Sequence, residues 1–191
     1  RDEGLNIGLD TGYKLMTATD SISLLRHHLF DFELDYYRPL GNPHKFLSAL
    51  LQHISRLQDE DVSPKEYIKW AANHDPNFQE LASLYQSYSQ LKAKEGVLDF
   101  SDLISSALHL FRSRPNILKK YQNKFKYILV DEFQDTNYAQ NQLINLLAGQ
   151  DQNLTVVADD DQAIYRWRGA AVSNVIQFRA TYPQAKLITL S

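Results

Sequence analysis

The sequence contains no cysteine, one methionine and no apolar run long enough to cross a membrane. The absence of cysteine excludes disulfide bonds and thiolate metal sites, and it fits a reducing compartment. The 20 basic residues against 23 acidic ones give a net charge of −3, so no global positive charge favours nucleic acid. Such a partner would need local basic or aromatic groups. We therefore expect a cytoplasmic protein with no membrane partner.

The composition is that of an ordinary globular protein. Of the 191 residues, 43% are hydrophobic and 23% are charged, and this length suffices for one large domain or two small ones. No signal-peptide pattern opens the chain, which begins at Arg1 rather than at methionine. We therefore expect an internal fragment of a longer protein.

The first part of the chain has the pattern of an all-helical unit. Residues 1–19 show no sustained periodicity and predict a loop or a ragged chain end, whereas helical periodicity begins at Asp20, a candidate N-cap. Residues 20–97 then predict a small helical unit, whose last helix stops at Gly96. Three cap residues followed by proline mark further helix starts: Asn42-Pro43, Ser63-Pro64 and Asp75-Pro76.

The second part, residues 98–191, alternates strands and helices. Its four apolar residues from Tyr127 to Val130 form a short run that suits a strand buried on both faces. The alternation implies right-handed crossovers and a parallel sheet, so the predicted fold class is α/β with a helical unit before it. After a helix that begins near Leu98, the predicted order is strand 127–130, helix 138–147, strand 154–158, helix 172–181 and strand 186–190.

Two adjacent carboxylates, Asp131 and Glu132, directly follow the first of these strands. Ligands of open α/β sheets bind at the carboxyl ends of the strands, and paired carboxylates are costly to desolvate unless a cation or a proton offsets them. The pattern suits a phosphate-transfer site in which Asp131 holds Mg²⁺ and Glu132 polarises the attacking water. The alternative is a solvated loop start or a helix cap.

A second polar stretch, Asp159 to Ala170, follows the next strand and would face the same cleft if the two strands are neighbours. Within it, Gln162 can donate to a phosphate oxygen or orient a water molecule. Tyr165 and Trp167, interleaved with two arginines, offer the stacking faces and phosphate-pairing groups that single-strand binders use. The alternative is a turn whose tryptophan packs against a helix and whose arginines neutralise the acids.

These stretches carry a family resemblance. DEFQDTNYAQNQL at Asp131–Leu143 and VVADDDQAIYRWRGA at Val156–Ala170 resemble motifs II and III of the UvrD/Rep/PcrA family of superfamily I DNA helicases. LDFSDLI at Leu98–Ile104 is similar to a helix just upstream of those motifs in the family. The resemblance implies a partial RecA-like parallel sheet of the P-loop NTPase type over residues 98–191. It also implies that residues 20–97 are the all-helical accessory subdomain inserted into that domain.

On the nucleotide side, the resemblance implies ATP and Mg²⁺ as cofactors. Asp131 would coordinate Mg²⁺, Glu132 would be the base that activates water, and Gln162 would sense the γ-phosphate. Gln134 and Asp135 would organise the junction around these groups.

On the DNA side, the resemblance places Tyr165 and Trp167 against bases of the translocating single strand. Arg168 would link this contact to the nucleotide site by pairing with Glu132. The partners implied are single-stranded DNA, the duplex junction and the other domains of the parent chain.

The sequence departs from the family pattern in three ways. Ala158 stands where the family usually has glycine and Ala163 where it usually has serine, changes that we expect to leave the path of the loop intact. No G-x-x-x-x-G-K-[ST] segment occurs, so no P-loop lysine reaches the β- and γ-phosphates. We therefore expect the chain by itself neither to hydrolyse ATP nor to unwind DNA.

The parent protein implied by the resemblance is an ATP-dependent helicase that translocates from 3′ to 5′ on single-stranded DNA. A motor subunit of a RecB/AddA-type helicase-nuclease is one alternative, because its motifs are related. A non-enzymatic module whose helical part binds a partner protein is the other.

Overall fold

The computed structural model describes residues 2–37, 43–159 and 173–189, without the side chains of 43–44 and 173–175. The chain divides into two compact units, Arg1–Ile117 and Leu118–Ser191. Each unit is described by itself below. None of the helices in the described part of the chain is long and apolar enough to cross a membrane.

The first unit is built from helices, as the cap and proline pattern predicts. Ser63 and Asp75 cap helices that begin at the prolines following them, because proline has a helix-compatible φ and needs no amide donor in the first turn. The helices are α1 (Ala18–His27), α2 (Pro43–Asp59), α3 (Pro64–Ala71), α4 (Pro76–Glu95) and α5 (Phe100–Ser113), and α6 (Pro115–Lys124) begins here. Helix α5, which we predicted to belong with the second part of the chain, lies in this unit.

The start of α1 corrects one predicted cap. Thr17, not Asp20, is the N-cap, and Asp20 is the third residue of the helix. The amide of Asp20 donates to Thr17 Oγ1 over 3.2 Å, while Asp20 Oδ2 accepts from the Thr17 amide over 2.9 Å. The threonine hydroxyl and the carboxylate three residues later each accept from one amide that the helix itself leaves unpaired, so the pair fixes the start.

Residues 2–19 are more ordered than the predicted loop. A 3₁₀ turn covers Gly4–Ile7, and strand β1 (Lys14–Leu15) pairs in parallel with strand β2 (Val97–Leu98). Each strand has only two residues, too few to show an alternating pattern in the sequence. The pairing depends on a partner more than 80 residues away in the chain, so local periodicity could not reveal it.

The core of the first unit forms where the apolar stripes of four helices meet. Burial of these side chains is the main favourable contribution to folding, at about 25 cal/mol per Å² of apolar surface removed from water. The buried residues are Leu25, Leu47, Leu50, Ile54, Tyr67, Ala71, Leu81, Ala82, Leu84, Tyr85 and Tyr88.

A buried ionic cluster lies beside this core. Lys92 of α4 is only 2% exposed, and its Nζ donates to Asp99 Oδ2 over 2.7 Å and to Asp102 Oδ2 over 2.6 Å. Gln58 of α2 donates to Asp102 Oδ1 over 2.8 Å, and Lys92 Nζ lies 4.6 Å from the ring centre of Tyr88. Asp99 and Asp102 also form the capping box of α5, so the cluster ties three helices together.

The second unit contains the two strands predicted around the acidic stretches. Strand β3 (Ile128–Val130) pairs in parallel with β4 (Leu154–Val156). Helix α7 (Tyr138–Ala148) lies between them in the chain, and α8 (Ser173–Thr181) follows. This confirms a mixed α/β unit with a parallel sheet.

Two expectations about this sheet are wrong in the described part of the chain. Residues 186–189 form no strand, although a third strand was predicted over 186–190; Leu190 lies outside the described residues. Strand β3 is not buried on both faces, since Leu129 is 77% exposed, and Tyr127, which precedes the strand, is 78% exposed. Apolar composition sets what a strand can bury, but packing partners decide which face is covered.

Candidate functional site

The carboxyl ends of β3 and β4 lie side by side. Parallel pairing aligns Val130 with Val156, and the Val157 amide donates to Val130 O over 2.8 Å. The Phe133 amide then donates to Val157 O over 2.8 Å, which extends the contact beyond the strands. The acids after β3 and the start of the loop after β4 therefore share one end of the sheet, as predicted for neighbouring strands.

Asp131 and Glu132 are exposed at this end. Asp131 Oδ1 accepts from the Glu132 amide over 3.0 Å. Glu132 has φ +49° and ψ +43°, the left-handed conformation that residues with a side chain rarely adopt and that costs about 1–2 kcal/mol. Strained backbone of this kind persists where the surroundings fix it, and it is concentrated at functional sites.

The side chain of Gln134 joins the two strand ends. It is 1% exposed. Its Nε2 donates to Glu132 Oε2 over 2.6 Å, and its Oε1 accepts from the Asp159 amide over 3.0 Å. One buried amide thus contacts the acid after β3 and the backbone after β4.

The 3₁₀ turn Phe133–Asp135 holds this amide in place. The ring of Phe133 is buried and meets Phe178 of α8 edge to face, with ring centres 5.4 Å apart. At the end of the turn, Thr136 Oγ1 donates to Phe133 O over 2.7 Å. Asp135 Oδ1 is buried and has no hydrogen-bond partner within the described ranges. A buried carboxylate oxygen without a donor is costly, so this atom is suited to a polar partner.

The remaining predicted residues, Gln162, Tyr165, Trp167 and Arg168, lie outside the described residues. Their predicted contacts with phosphate, DNA bases and Glu132 stay predictions. Asp159 is the last described residue before them, three positions ahead of Gln162, and its backbone is fixed by Gln134.

The described residues fit a Mg²⁺ ion of the kind that binds with nucleotide phosphates. Mg²⁺ takes oxygen ligands, keeps several water molecules and needs only one or two carboxylates when phosphates supply further oxygens. Asp131 offers such a carboxylate at an exposed position. Within the described ranges no group of three or more histidine, aspartate or glutamate side chains could hold a metal ion by themselves.

Comparison with known families identifies the chain. The model of the UvrD/REP helicase N-terminal domain matches residues 1–183. The chain belongs to the UvrD/REP helicase family. This membership confirms the resemblance drawn from the two motifs, and it extends it over the helical part of the chain.

Known members of the UvrD/REP helicase family are similar along the whole chain. The ATP-dependent DNA helicase PcrA of Staphylococcus epidermidis is 40% identical over 190 residues, which cover 100% of this chain and 25% of that protein. PcrA of Staphylococcus aureus is 38% identical over 190 residues with the same coverage. The chain therefore spans a quarter of the length of these relatives.

Two features of the site were not foreseen from the sequence. One is the left-handed backbone of Glu132, and the other is the bond from the Asp159 amide to Gln134. The family resemblance placed Gln134 at the junction but did not supply its partners. A bond between residues 25 positions apart follows from the strand register, which no local pattern specifies.

Proposed function

We propose that the chain is part of an ATP-dependent DNA helicase that moves from 3′ to 5′ on single-stranded DNA. Residues 98–191 form part of its RecA-like domain, and residues 20–97 form the accessory subdomain inserted into it. The support is family membership over residues 1–183 together with one observation: Asp131, Glu132 and Asp159 meet at the same end of a parallel sheet.

The chemistry proposed for each residue is the role that the family resemblance implies for it. When bound, ATP and Mg²⁺ supply a reactive phosphoanhydride bond and a charge that offsets the phosphates. Asp131 would hold the metal through its exposed carboxylate, and Glu132 would accept a proton from the attacking water. Gln162 would contact the γ-phosphate.

The loop after β4 would connect this chemistry to DNA. Tyr165 and Trp167 would stack on bases of the single strand, and Arg168 would pair with Glu132. Because the phosphate contact and the first aromatic residue are only three positions apart, loss of the γ-phosphate would move the stacked base. The duplex junction and the other domains of the parent chain are the further partners proposed.

The DNA contact is tested by fluorescence anisotropy with a labelled single strand. Trp167→Ala should weaken binding by about 1–3 kcal/mol for each base that loses its stacking partner. Trp70→Ala is the matched control, because Trp70 is the only other tryptophan in the sequence and lies in the first unit. Equal affinities of both variants and the unchanged chain would contradict the proposal and favour a protein-interaction module.

The catalytic assignment is tested by phosphate release. The chain alone, with Mg²⁺, ATP and single-stranded DNA, should show no turnover, because it carries no P-loop lysine. The full-length gene product should hydrolyse ATP, and Glu132→Gln should reduce its kcat by about 100-fold or more, as loss of a general base does. Turnover by the chain alone would refute its expected inactivity, and degradation of the DNA by the full-length protein would favour the helicase-nuclease alternative.

A further inference from the structure

The segment that leads from α6 into β3 is positively charged, although the net charge of the whole chain is −3. Residues 103–130 contain no aspartate or glutamate, and four lysines lie close together near the end of this stretch. None of the ion pairs within the described ranges includes Lys119, Lys124 or Lys126. A local excess of positive charge that no acid neutralises favours a partner of opposite charge.

Aromatic rings lie among these lysines in the second unit. The ring centres of Tyr121 and Phe125 are 5.9 Å apart. Phe125 is 42% exposed and Tyr127 is 78% exposed. Exposed aromatic rings that lie close together are typical of a binding surface. We call this group the lysine–aromatic surface, and its residues are Lys120, Tyr121, Lys124, Phe125, Lys126 and Tyr127.

The backbone that carries the lysine–aromatic surface is fixed on both sides. Within α6, Gln122 Nε2 donates to Leu146 O of α7 over 2.8 Å. At the start of β3, the Ile128 amide donates to Asn153 O over 2.9 Å. A partner would therefore meet an ordered surface, and its binding would lose little free energy to the ordering of that surface.

The positions of the ammonium groups argue against a nucleic acid on this surface. Lys120 Nζ lies 5.7 Å and Lys124 Nζ lies 5.9 Å from the ring centre of Tyr121. Lys124 Nζ also lies 5.8 Å from the ring centre of Phe125. The bases of a single strand stack on free ring faces, so here they would have to displace these ammonium groups. The phosphates of a duplex would pair with the lysines but would leave the exposed rings without an apolar contact.

We propose that the lysine–aromatic surface binds an acidic segment of a partner protein, in which carboxylates are mixed with apolar side chains. The carboxylates pair with Lys120, Lys124 and Lys126. The apolar side chains cover the exposed parts of Phe125 and Tyr127. Both kinds of group on the surface then have a complementary partner. This inference goes beyond the proposed function, which assigns none of these residues a contact with nucleotide or DNA.

The charge complementarity is tested by fluorescence anisotropy at low salt, with the full-length gene product and a fluorescein-labelled peptide that repeats glutamate, glutamate and leucine. Lys124→Glu/Lys126→Glu should bind this peptide about tenfold more weakly, because attractions are replaced by repulsions. Lys65→Glu/Lys69→Glu is the matched control, since both lysines are exposed on α3 and the change in net charge is the same. Equal affinities of the two double variants would overturn the proposal.

The aromatic contribution is tested with the same peptide. Tyr127→Ser should weaken binding about fivefold, as loss of an aromatic contact at an interface does. Tyr36→Ser is the matched control, because Tyr36 is 67% exposed and lies in the first unit. Equal affinities of these two variants would show that the rings take no part in binding, and would overturn the proposal of a mixed acidic and apolar partner.

A nucleic acid is tested as the other occupant with labelled single-stranded and duplex DNA. Lys124→Glu/Lys126→Glu should bind both DNAs with the same affinity as Lys65→Glu/Lys69→Glu. A loss of DNA affinity confined to the first double variant would identify nucleic acid as the occupant and would overturn the proposal.

Acetylation of lysine side chains tests whether the surface is open in the full-length gene product. With the acetyl ester of N-hydroxysuccinimide, Lys124 and Lys126 should react as exposed Lys65 does, whereas buried Lys92 should not. Peptide at several times its Kd should slow the reaction at Lys124 and Lys126 by about fivefold and leave Lys65 unchanged. If Lys124 and Lys126 failed to react without peptide, another part of the parent chain would cover the surface, and the proposal would be overturned.

Discussion

The ammonium group of Lys92 lies 2.6 Å from a carboxylate oxygen of Asp102, in a position where the lysine is 2% exposed. Asp99 contributes a second carboxylate oxygen at 2.7 Å. Two acids at the start of α5 therefore enclose one cation from the end of α4. Through this cluster, the LDFSDLI segment, which resembles a family helix, connects helices of the first unit.

Replacing Lys92 by methionine should destabilise the protein by about 3 kcal/mol, because two carboxylates that are only 21% and 14% exposed would lose their cation. The measurement is urea unfolding followed by far-ultraviolet circular dichroism. Lys94→Met is the control, since Lys94 is an exposed lysine of the same helix and its loss should stay within about 0.5 kcal/mol. Equal effects of the two substitutions would show that the cluster contributes nothing specific.

Alkaline pH should weaken the same cluster. Burial alone would lower the pKa of Lys92, but the carboxylates of Asp102 and Asp99 outweigh it and raise that pKa above its ordinary value of 10.5. The folded state then holds this proton more tightly than the unfolded state, so the stabilisation is complete below pH 10.5 and is lost as pH rises through the higher folded pKa.

The buried Tyr88 also stabilises the folded state less as pH rises, because burial raises its pKa above the ordinary value. Lys92 itself lowers the pKa of Tyr88, so the test compares Tyr88→Phe with the double variant Tyr88→Phe/Lys92→Met at each pH. The difference in unfolding free energy should be constant up to about pH 10 and shrink above it. A difference that grows above that pH would contradict the assignment.

Glu80 should hold a segment of backbone against α4. Its carboxylate accepts from three consecutive amides, those of Asp35, Tyr36 and Tyr37, over 3.1, 2.9 and 3.0 Å. Glu80→Ala should cost about 1–3 kcal/mol and speed amide exchange at these three positions, since hydrogen bonds to a charged group are the stronger kind. Glu95→Ala at the exposed end of the same helix is the control and should leave that exchange unchanged.

Two glycines should differ in their tolerance of alanine. Gly96 caps α4 with φ +63° and has no heavy atom within 4 Å of an added Cβ, so Gly96→Ala should cost about 1 kcal/mol. Gly149 has φ +55° with ψ −143°, and an added Cβ would lie 2.7 Å from Gln122 Nε2. We expect Gly149→Ala to cost at least about 2 kcal/mol in urea unfolding, because strain and a displaced hydrogen bond add. Equal costs would contradict this ordering.

Local signals predicted those parts of the fold that depend on neighbouring residues. Proline after a capping residue predicted the starts of α3 and α4, because both preferences act within one turn. The apolar runs before Asp131 and Asp159 predicted β3 and β4 for the same reason. The capping box of Thr17 was missed because threonine precedes Asp20 by three positions and both are acceptable caps.

Features that depend on distant residues could not be predicted in this way. The pairing of β1 with β2 joins residues that no short stretch of sequence contains, and so does the hydrogen bond from the Asp159 amide to Gln134. The burial of Lys92 depends on which side chains pack around it. The exposure of Leu129 could not be predicted either. The sequence of a strand shows which side chains can be buried, but not which elements pack on them.

The sequence by itself determined the family and the chemical groups available, because the two acidic stretches are long and specific, and the family model confirms them. Only the tertiary structure decided that Glu132 and Asp159 meet through one amide, and that Glu132 adopts a left-handed backbone. The physical reason is that a short stretch of sequence shows which side chains are present, whereas their hydrogen-bond partners are set by strand register and by packing between remote parts of the chain.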